Sequence, residues 1–116
     1  MNIGFTGSRY GMSKAQREQF AWLMLRLKTN TFHHGAAVGA DTQAAAFVRK
    51  NPGIEIVAHP ASDDPLKRNR EIVAACDVLI AAPLTDKEEL RSGTWATVRY
   101  ARAAGKPVVM LSRGKE

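Results

Sequence analysis

The feature that most constrains the fold is a repeated alternation of short apolar segments with longer segments of helical pattern. Residues 77–82, DVLIAA, are almost entirely apolar, which is typical of a strand buried on both faces of a sheet. Comparable short runs predict four more strands, at residues 2–6, 31–34, 54–58 and 108–111. Such alternation predicts a parallel sheet with right-handed crossovers. The expected fold is therefore a three-layer, Rossmann-like α/β fold, with a five-stranded parallel sheet and helices on both faces.

Helix signals fall between the predicted strands. Ser13 and Gln16 form a capping-box pattern, which predicts a helix start, and the helix that follows has one apolar stripe at helical spacing. The stripe consists of Phe20, Leu23, Met24 and Leu27. Further helices are predicted from the glycine-rich segment 35–41 to about residue 50, over 66–75, and from residue 92 or 93 to about 104.

Composition and charge narrow the class of protein. The 116 residues suit a single domain, 1–116, and a formal charge of +6 with a pI near 9.9 is typical either of a protein with anionic partners or simply of a basic surface. The single cysteine, Cys76, cannot form an internal disulfide, which fits a reducing cytoplasm. The first ten residues lack the features of a signal peptide, and no apolar run approaches the ~18 residues of a membrane span. We therefore expect a cytoplasmic protein that does not contact a membrane.

The position of the candidate site follows from the predicted topology. Ligands of open parallel sheets bind beyond the carboxyl ends of the strands, so the segments that follow each strand should converge. Those segments are rich in glycine, small hydroxyl side chains and arginine. They suit a phosphate because glycine lets the backbone approach closely and arginine offers a fork-shaped cation. The predicted ligand-binding residues are Gly7, Ser8, Arg9, Gly35, Gly39, Ala40, Asp41, His59, Arg68, Asn69, Arg70, Pro83, Arg91, Ser92, Gly93, Thr94 and Thr97.

Ordinary structural roles compete with this interpretation. The turn at 7–9 can be a plain strand-to-helix connection, Asp41 a first-turn charge favoured by the helix dipole, and Ser92 an N-cap. Arg68 and Arg70 are two residues apart on a predicted helix, so they point to different faces. The location of Arg68 nearer the edge of the sheet favours it as the one that reaches a ligand.

Candidates for catalysis and metal binding are few. Glu88 and Glu89 precede the last predicted helix and can serve as a general base or bind ribose, which makes them catalytic candidates. Neither a dinucleotide fingerprint nor a P-loop pattern occurs. His33 and His34 lack further spaced ligands, so no metal site and no cofactor are expected. Because their side chains alternate across a strand, at most one of them should face the core.

Several stretches of the chain, in order, resemble the SLOG superfamily: GFTGSRYGM, HHGAAVGAD, the pair His59-Pro60, RNREIVAACDVLIAAP and RSGTWATVRYARAAGKPV. The resemblance covers nearly the whole chain and is closest to the small YpsA-like, phage- or prophage-type members. The superfamily also holds the LOG cytokinin-activating phosphoribohydrolases and the DprA/Smf DNA-processing proteins. Membership implies a Rossmann-like fold and a nucleotide pocket. It also implies a homodimer or higher homo-oligomer, because pockets in this superfamily are often completed by dimerisation.

The resemblance also separates binding from catalysis. LOG enzymes use an arginine near the fourth strand and a glutamate in a P-G-G-x-G-T-x-x-E loop. Arg68 or Arg70 matches the arginine, so the resemblance adds Arg68 to Glu88 and Glu89 as a catalytic candidate. Thr97 stands at the glutamate position and cannot act as a carboxylate base. The resemblance therefore keeps the phosphate-binding half of the pattern and alters the catalytic half.

Three functions follow, in order of preference. The first is a sensor or sequestering protein that binds a nucleotide or nucleotide-derived signal at the C-terminal edge of the sheet. The alternative is a LOG-like phosphoribohydrolase that cleaves the N-glycosidic bond of a nucleoside monophosphate, so enzymatic activity stays open. The second alternative is DprA-like nucleic-acid binding, which the +6 charge favours. The aromatic content of 7% disfavours it, because few rings are present to stack on bases.

Overall fold

The computed structural model describes residues 1–61 and 63–114 of the chain. Within these residues, five β-strands alternate with four α-helices. In chain order the elements are β1 (Asn2–Gly7), α1 (Lys14–Arg26), β2 (Thr31–His34), α2 (Ala40–Val48), β3 (Glu55–Ala58), α3 (Pro65–Ala75), β4 (Val78–Ala82), α4 (Gly93–Ala103) and β5 (Val108–Met110). The predicted alternation is confirmed, with boundaries close to those expected. Across the described ranges, no helix has the length and apolar character needed to cross a bilayer.

The described strands all pair in parallel, in the order β3-β2-β1-β4-β5. β1 lies at the centre, where Ile3 aligns with Phe32 of β2 on one side and with Val78 of β4 on the other. From β1 the chain winds outward through β2 to β3, then crosses back by way of α3 to β4 and continues to β5. The strand order therefore reverses between β1 and β4. The predicted five-stranded parallel sheet of Rossmann-like type is confirmed.

Helices cover both faces of the sheet and give the fold three layers. α1 and α2 pack on one face around an aromatic cluster, in which the rings of Phe5 and Phe20 meet edge to face with centroids 5.4 Å apart. α3 and α4 pack on the other face, where Ile72, Leu79 and Val98 are buried together. Both faces are apolar because each has its own helical layer, which explains the unbroken apolar run in β4.

The structure corrects the expectation for the burial of His33 and His34. Both side chains are buried, at 9% and 5% exposed, so the expectation that at most one faces the core is wrong. The side chains do alternate across β2, but a helical layer covers each face of that strand. Burial is the largest of the causes that lower the pKa of both imidazoles. His33 Nδ1 and His59 Nε2 lie 2.9 Å apart and form a hydrogen bond.

The start of α1 has the capping box that the sequence predicts. It also contacts the residues that directly follow β4 and β5. Ser13 Oγ accepts the N–H of Gln16 at 3.1 Å, and Gln16 Oε1 accepts the N–H of Ser13 at 3.0 Å. The fully buried Gln16 amide then donates to the carbonyl oxygens of Pro83, at 2.8 Å, and Leu111, at 3.1 Å. The loop that follows β4 is thus fastened to α1 at its first residue.

Candidate functional site

A cavity of about 550 Å³ opens at the carboxyl ends of β1 and β4, where the strand order reverses. Three segments line this β1–β4 cavity: the end of β1 with its following turn, one residue of α3, and the loop from β4 into α4. The lining residues are Thr6, Gly7, Ser8, Arg9, Tyr10, Asn69, Leu84, Glu89, Arg91, Ser92, Gly93 and Thr94. Open α/β sheets bind ligands at this position because the loops on either side of the reversal diverge and leave a crevice.

Backbone hydrogen bonds hold the turn after β1. The Ser8 N–H donates to the Ala82 carbonyl at 3.0 Å, and the Ser8 carbonyl accepts from the N–H groups of Gly11, at 3.1 Å, and Ala40, at 2.9 Å. Gly39 has φ +86°, and a Cβ there would collide with the Arg9 carbonyl, so only glycine lets α2 start against the turn. Gly39 and Ala40 therefore support the turn from behind and lie outside the cavity lining.

The N-terminus of α4 forms the opposite wall of the cavity. Ser92 is its N-cap, with Oγ accepting the N–H of Trp95 at 3.2 Å. Gly93 and Thr94 follow in the first turn and line the cavity, and a Cβ placed on Gly93 meets no atom within 4 Å. The unpaired N–H groups of a first helical turn and the helix dipole both favour a negative charge.

Two arginines and one carboxylate set the charge of the lining. Arg91 is exposed and makes no hydrogen bond or ion pair with another described residue. Arg9 donates through Nη2 to the Tyr10 hydroxyl at 2.8 Å, and its guanidinium lies 5.0 Å from the centre of the Tyr10 ring. Glu89 is the carboxylate in the lining, and its Oε1 accepts from Thr85 Oγ1 at 2.7 Å. The described lining thus carries more positive than negative charge.

The predicted site residues did not include Thr6, Tyr10 and Leu84, which all belong to the lining. Tyr10 is 68% exposed beside Arg9, an unusual position for an aromatic ring, and follows the predicted turn directly. Its adjacency to Arg9 in the sequence was the signal that could have found it. Leu84 carried no such signal, because an apolar residue after a buried strand is ordinary.

The structure separates Glu88 from Glu89. Glu88 Oε2 forms an ion pair with Arg99 Nη1 at 3.0 Å, on the outer side of the loop and away from the cavity lining. Arg99 also donates to the carbonyl oxygens of Glu89, at 3.4 Å, and Leu90, at 3.2 Å. Glu88 thus helps to fasten the loop to α4, whereas Glu89 faces the cavity.

Four other predicted residues form a cluster at the carboxyl ends of β2 and β3, outside the cavity lining. The Asp41 carboxylate accepts the N–H groups of Gly35, at 2.9 Å, and Ala37, at 3.4 Å. Burial raises the pKa of Asp41, and the two backbone hydrogen bonds and the Arg68 charge oppose that rise. Arg68 Nη1 donates to the carbonyl oxygens of Gly35 and His59. The cluster ties the ends of the two strands to α2 and α3.

The remaining predicted residues, Arg70, Thr97 and Pro83, lie outside the lining of the β1–β4 cavity. Arg70 and Thr97 line a smaller cavity of about 120 Å³ between these helices, which Asn69 also borders. The Arg70 guanidinium lies 5.7 Å from the centre of the Tyr100 ring. Thr97 is buried, and its hydroxyl donates to the Gly93 carbonyl at 2.9 Å. Pro83 is buried and contributes its carbonyl to Gln16, as described above.

No arrangement of three or more histidine, cysteine, aspartate or glutamate side chains suited to a metal ion occurs within residues 1–61 and 63–114. His33 and His59 lie side by side, and they share the hydrogen bond given above. The candidate site therefore rests on arginine, hydroxyl and backbone N–H groups.

Comparison with known proteins adds one structural relative. No family model matches the chain, and no curated protein matches it. The fold is similar to the X-ray structure of DNA processing protein A (DprA) from Streptococcus pneumoniae, with a TM-score of 0.71 and 20% sequence identity. The match covers 94% of this chain and 49% of DprA, so the chain spans about half the length of that protein. At this identity the likeness shows that the two share a Rossmann-like fold.

Proposed function

We propose that the β1–β4 cavity binds a phosphate-bearing nucleotide or nucleotide-derived signal, and that the protein acts as a sensor or sequestering protein for it. The observation that carries the proposal is the meeting of two anion-binding elements in one cavity. The turn Gly7-Ser8-Arg9 forms one wall and the first turn of α4, at Gly93 and Thr94, forms the other. Both lie at the reversal of strand order, where Rossmann-type sheets bind nucleotides.

Charge and size support this proposal. Arg9 and Arg91 place two cations in the lining against the carboxylate of Glu89, and the whole chain has a formal charge of +6. A volume of about 550 Å³ is in the usual range of small-molecule sites. A phosphate would lie against the backbone N–H groups, leaving the exposed Tyr10 ring free to contact a base.

The DprA-like fold supports a finer proposal about ancestry. We propose that the chain is a small, YpsA-like or phage-type member of the SLOG superfamily, on the strength of its ordered sequence blocks and this fold. Binding without hydrolysis is favoured because Thr97, at the position of the LOG glutamate, is buried and uses its hydroxyl within α4. A hydrolytic variant of the proposal depends on Glu89, the carboxylate that faces the cavity.

A second candidate function is binding of single-stranded nucleic acid. The fold shared with a DNA processing protein favours it, as does the pairing of an exposed Tyr10 ring with the Arg9 guanidinium at the cavity rim. A strand would lay one phosphate in the β1–β4 cavity and stack a base on Tyr10.

Calorimetric titration tests the first proposal with AMP, ADP-ribose and cyclic nucleotides. Arg91→Ala should weaken AMP binding by about tenfold or more, since a charge-assisted hydrogen bond contributes about 1.5–3 kcal/mol. Arg102→Ala is the matched control, because Arg102 is exposed in the last turn of α4, at the opposite end of the helix. Failure of every nucleotide to bind, or equal losses in the two variants, would refute the proposal.

Two further measurements separate the alternatives. Chromatography of an AMP incubation reports free adenine, and release that Glu89→Gln abolishes and Glu88→Gln preserves would establish the hydrolase. Titration with a single-stranded oligonucleotide at rising salt tests the second candidate. Affinity that falls steeply with salt would favour nucleic acid over a free nucleotide, because a strand brings several phosphates to the basic surface.

A further inference from the structure

Arg68 is bound to the protein through its Nε and Nη1 atoms, and it does not belong to the lining of the β1–β4 cavity. Its Nε donates to Asn69 Oδ1 at 2.8 Å, and its Nη1 donates to the carbonyl oxygens of Gly35 and His59. A Cβ placed on Gly35 would collide with the guanidinium, so the side chain lies directly on the backbone there. Three acceptors from three parts of the chain thus hold one rigid, planar group in a single orientation.

That contact determines which way the Asn69 amide faces. A guanidinium has only N–H donors, so the atom of the amide that faces Arg68 Nε must be the carbonyl oxygen. The side-chain NH2 group of Asn69 is then not used by the contact with Arg68. Among residues 1–61 and 63–114 it donates to no partner, and Asn69 is the residue of α3 that borders the β1–β4 cavity.

We propose that Asn69 is a ligand-selecting residue that offers its NH2 group to a phosphate in the β1–β4 cavity, and that Arg68 is the positioning residue that holds it so. This inference rests on the proposed nucleotide function and deepens it. The NH2 group has two donors and no acceptor, so it matches the oxygens of a phosphate and discriminates against groups that only donate. Arg68 therefore acts through Asn69, and not as a phosphate ligand or catalytic residue.

Asn69→Asp tests the selecting role, because it changes only the group in question. One carboxylate oxygen still accepts from Arg68 Nε, with the added attraction of opposite charges, so the fold should be kept. The other oxygen replaces the NH2 group and repels a phosphate. We expect AMP and inorganic phosphate to bind at least about tenfold more weakly, measured by calorimetry.

Asn51→Asp is the matched control for this change. Asn51 is exposed in the loop between α2 and β3, and its Oδ1 also accepts a neighbouring backbone N–H, at 3.0 Å from Gly53, which aspartate preserves. The control adds the same charge away from the cavity and should leave both affinities within about twofold. Equal affinity in wild type and Asn69→Asp would overturn the inference while the proposed function stands. Wild type that binds neither AMP nor phosphate would overturn both.

A double-mutant cycle tests the positioning role of Arg68. Lysine keeps the charge but cannot reach Asn69 and two carbonyl oxygens at once, so Arg68→Lys should lower AMP affinity about threefold or more. In an Asn69→Ala background the same change should have no effect on affinity. A loss of the same size in both backgrounds would show that Arg68 acts on the ligand directly, and the positioning role would be wrong.

Discussion

The Asp41 carboxylate accepts the backbone N–H of Gly35 at 2.9 Å, and in this way the first turn of α2 is joined to the chain just beyond β2. Both residues are buried, so water cannot replace the bond if the carboxylate is removed. The contact also places Asp41 beside Arg68, whose charge opposes the rise that burial causes in the pKa of the carboxyl group. A residue predicted from the sequence to bind the ligand therefore has a structural role.

Asp41→Ala should lower the free energy of unfolding by about 1–3 kcal/mol, because the Gly35 N–H is then buried without an acceptor. Asp41→Asn should cost less, since its amide oxygen can still accept that N–H and no buried charge remains. Urea denaturation of the two variants and the wild type measures both values. Equal midpoints for the alanine and asparagine variants would show that this hydrogen bond does not stabilise the fold.

Gly39→Ala should destabilise the fold by at least about 1 kcal/mol. The residue has φ +86°, and an added Cβ would strike the Arg9 carbonyl. Gly93→Ala is the comparison, because a Cβ there meets nothing within 4 Å, and its stability should change by no more than about 0.5 kcal/mol. Thermal unfolding followed by circular dichroism distinguishes the two. A Gly39 variant as stable as the Gly93 variant would contradict the close approach of α2 to the turn.

The stability of the protein should fall as the pH drops below about 6.5. Burial, and next the repulsion from His59, lower the pKa of His33 from 6.5. The unfolded chain therefore binds a proton more readily than the folded chain, and protonation favours unfolding. The stabilisation is complete above pH 6.5 and is lost as the pH falls through the folded-state pKa.

His33→Gln should reduce that dependence, and His34, whose pKa burial also lowers, should account for part of what remains. Urea midpoints at pH 7.5 and 5.5 for wild type and variant provide the measurement. An unchanged difference between the two pH values in the variant would exclude His33 as the titrating group.

Glu89→Gln should tighten the binding of inorganic phosphate about two- to threefold. The substitution removes the negative charge from the lining, and a charge repulsion across a solvated cavity is on the order of 0.5 kcal/mol. Glu88→Gln should have no such effect, because that carboxylate is paired with Arg99 outside the cavity. Phosphate titration of both variants checks the contrast, and weaker binding by Glu89→Gln would show that its carboxylate supports the ligand.

Much of the fold could be predicted because its signals are local. The capping box at Ser13 and Gln16 and the unbroken apolar run of β4 each report on neighbours within a few residues. Parallel pairing followed from the alternation, and the edge of the sheet that carries the candidate site followed from parallel pairing. The prediction for His33 and His34 was wrong because it treated only one face of β2 as part of the core, although helices were expected on both faces of the sheet.

The directions of the side chains at the site could not be predicted from neighbouring residues in the sequence. Arg68, Asn69 and Arg70 are consecutive on α3, yet they face the ends of β2 and β3, the β1–β4 cavity and Tyr100 respectively. Spacing showed that Arg68 and Arg70 diverge, but it could not show what lies opposite each of them. Likewise, adjacent Glu88 and Glu89 differ in role only because Arg99, a turn into α4, captures one of them.

Residue patterns along the chain were enough to specify the elements, their parallel pairing and the rim at which glycine, hydroxyl-bearing and arginine residues gather. Tertiary packing determines which of those groups line the β1–β4 cavity and which form hydrogen bonds that hold the ends of the strands together. The division has a physical basis. Helix and strand patterns depend on contacts within one turn or one pleat. By contrast, the contacts of Arg68 with Gly35 and of Glu88 with Arg99 join residues 33 and 11 positions apart, and only the folded chain brings them together.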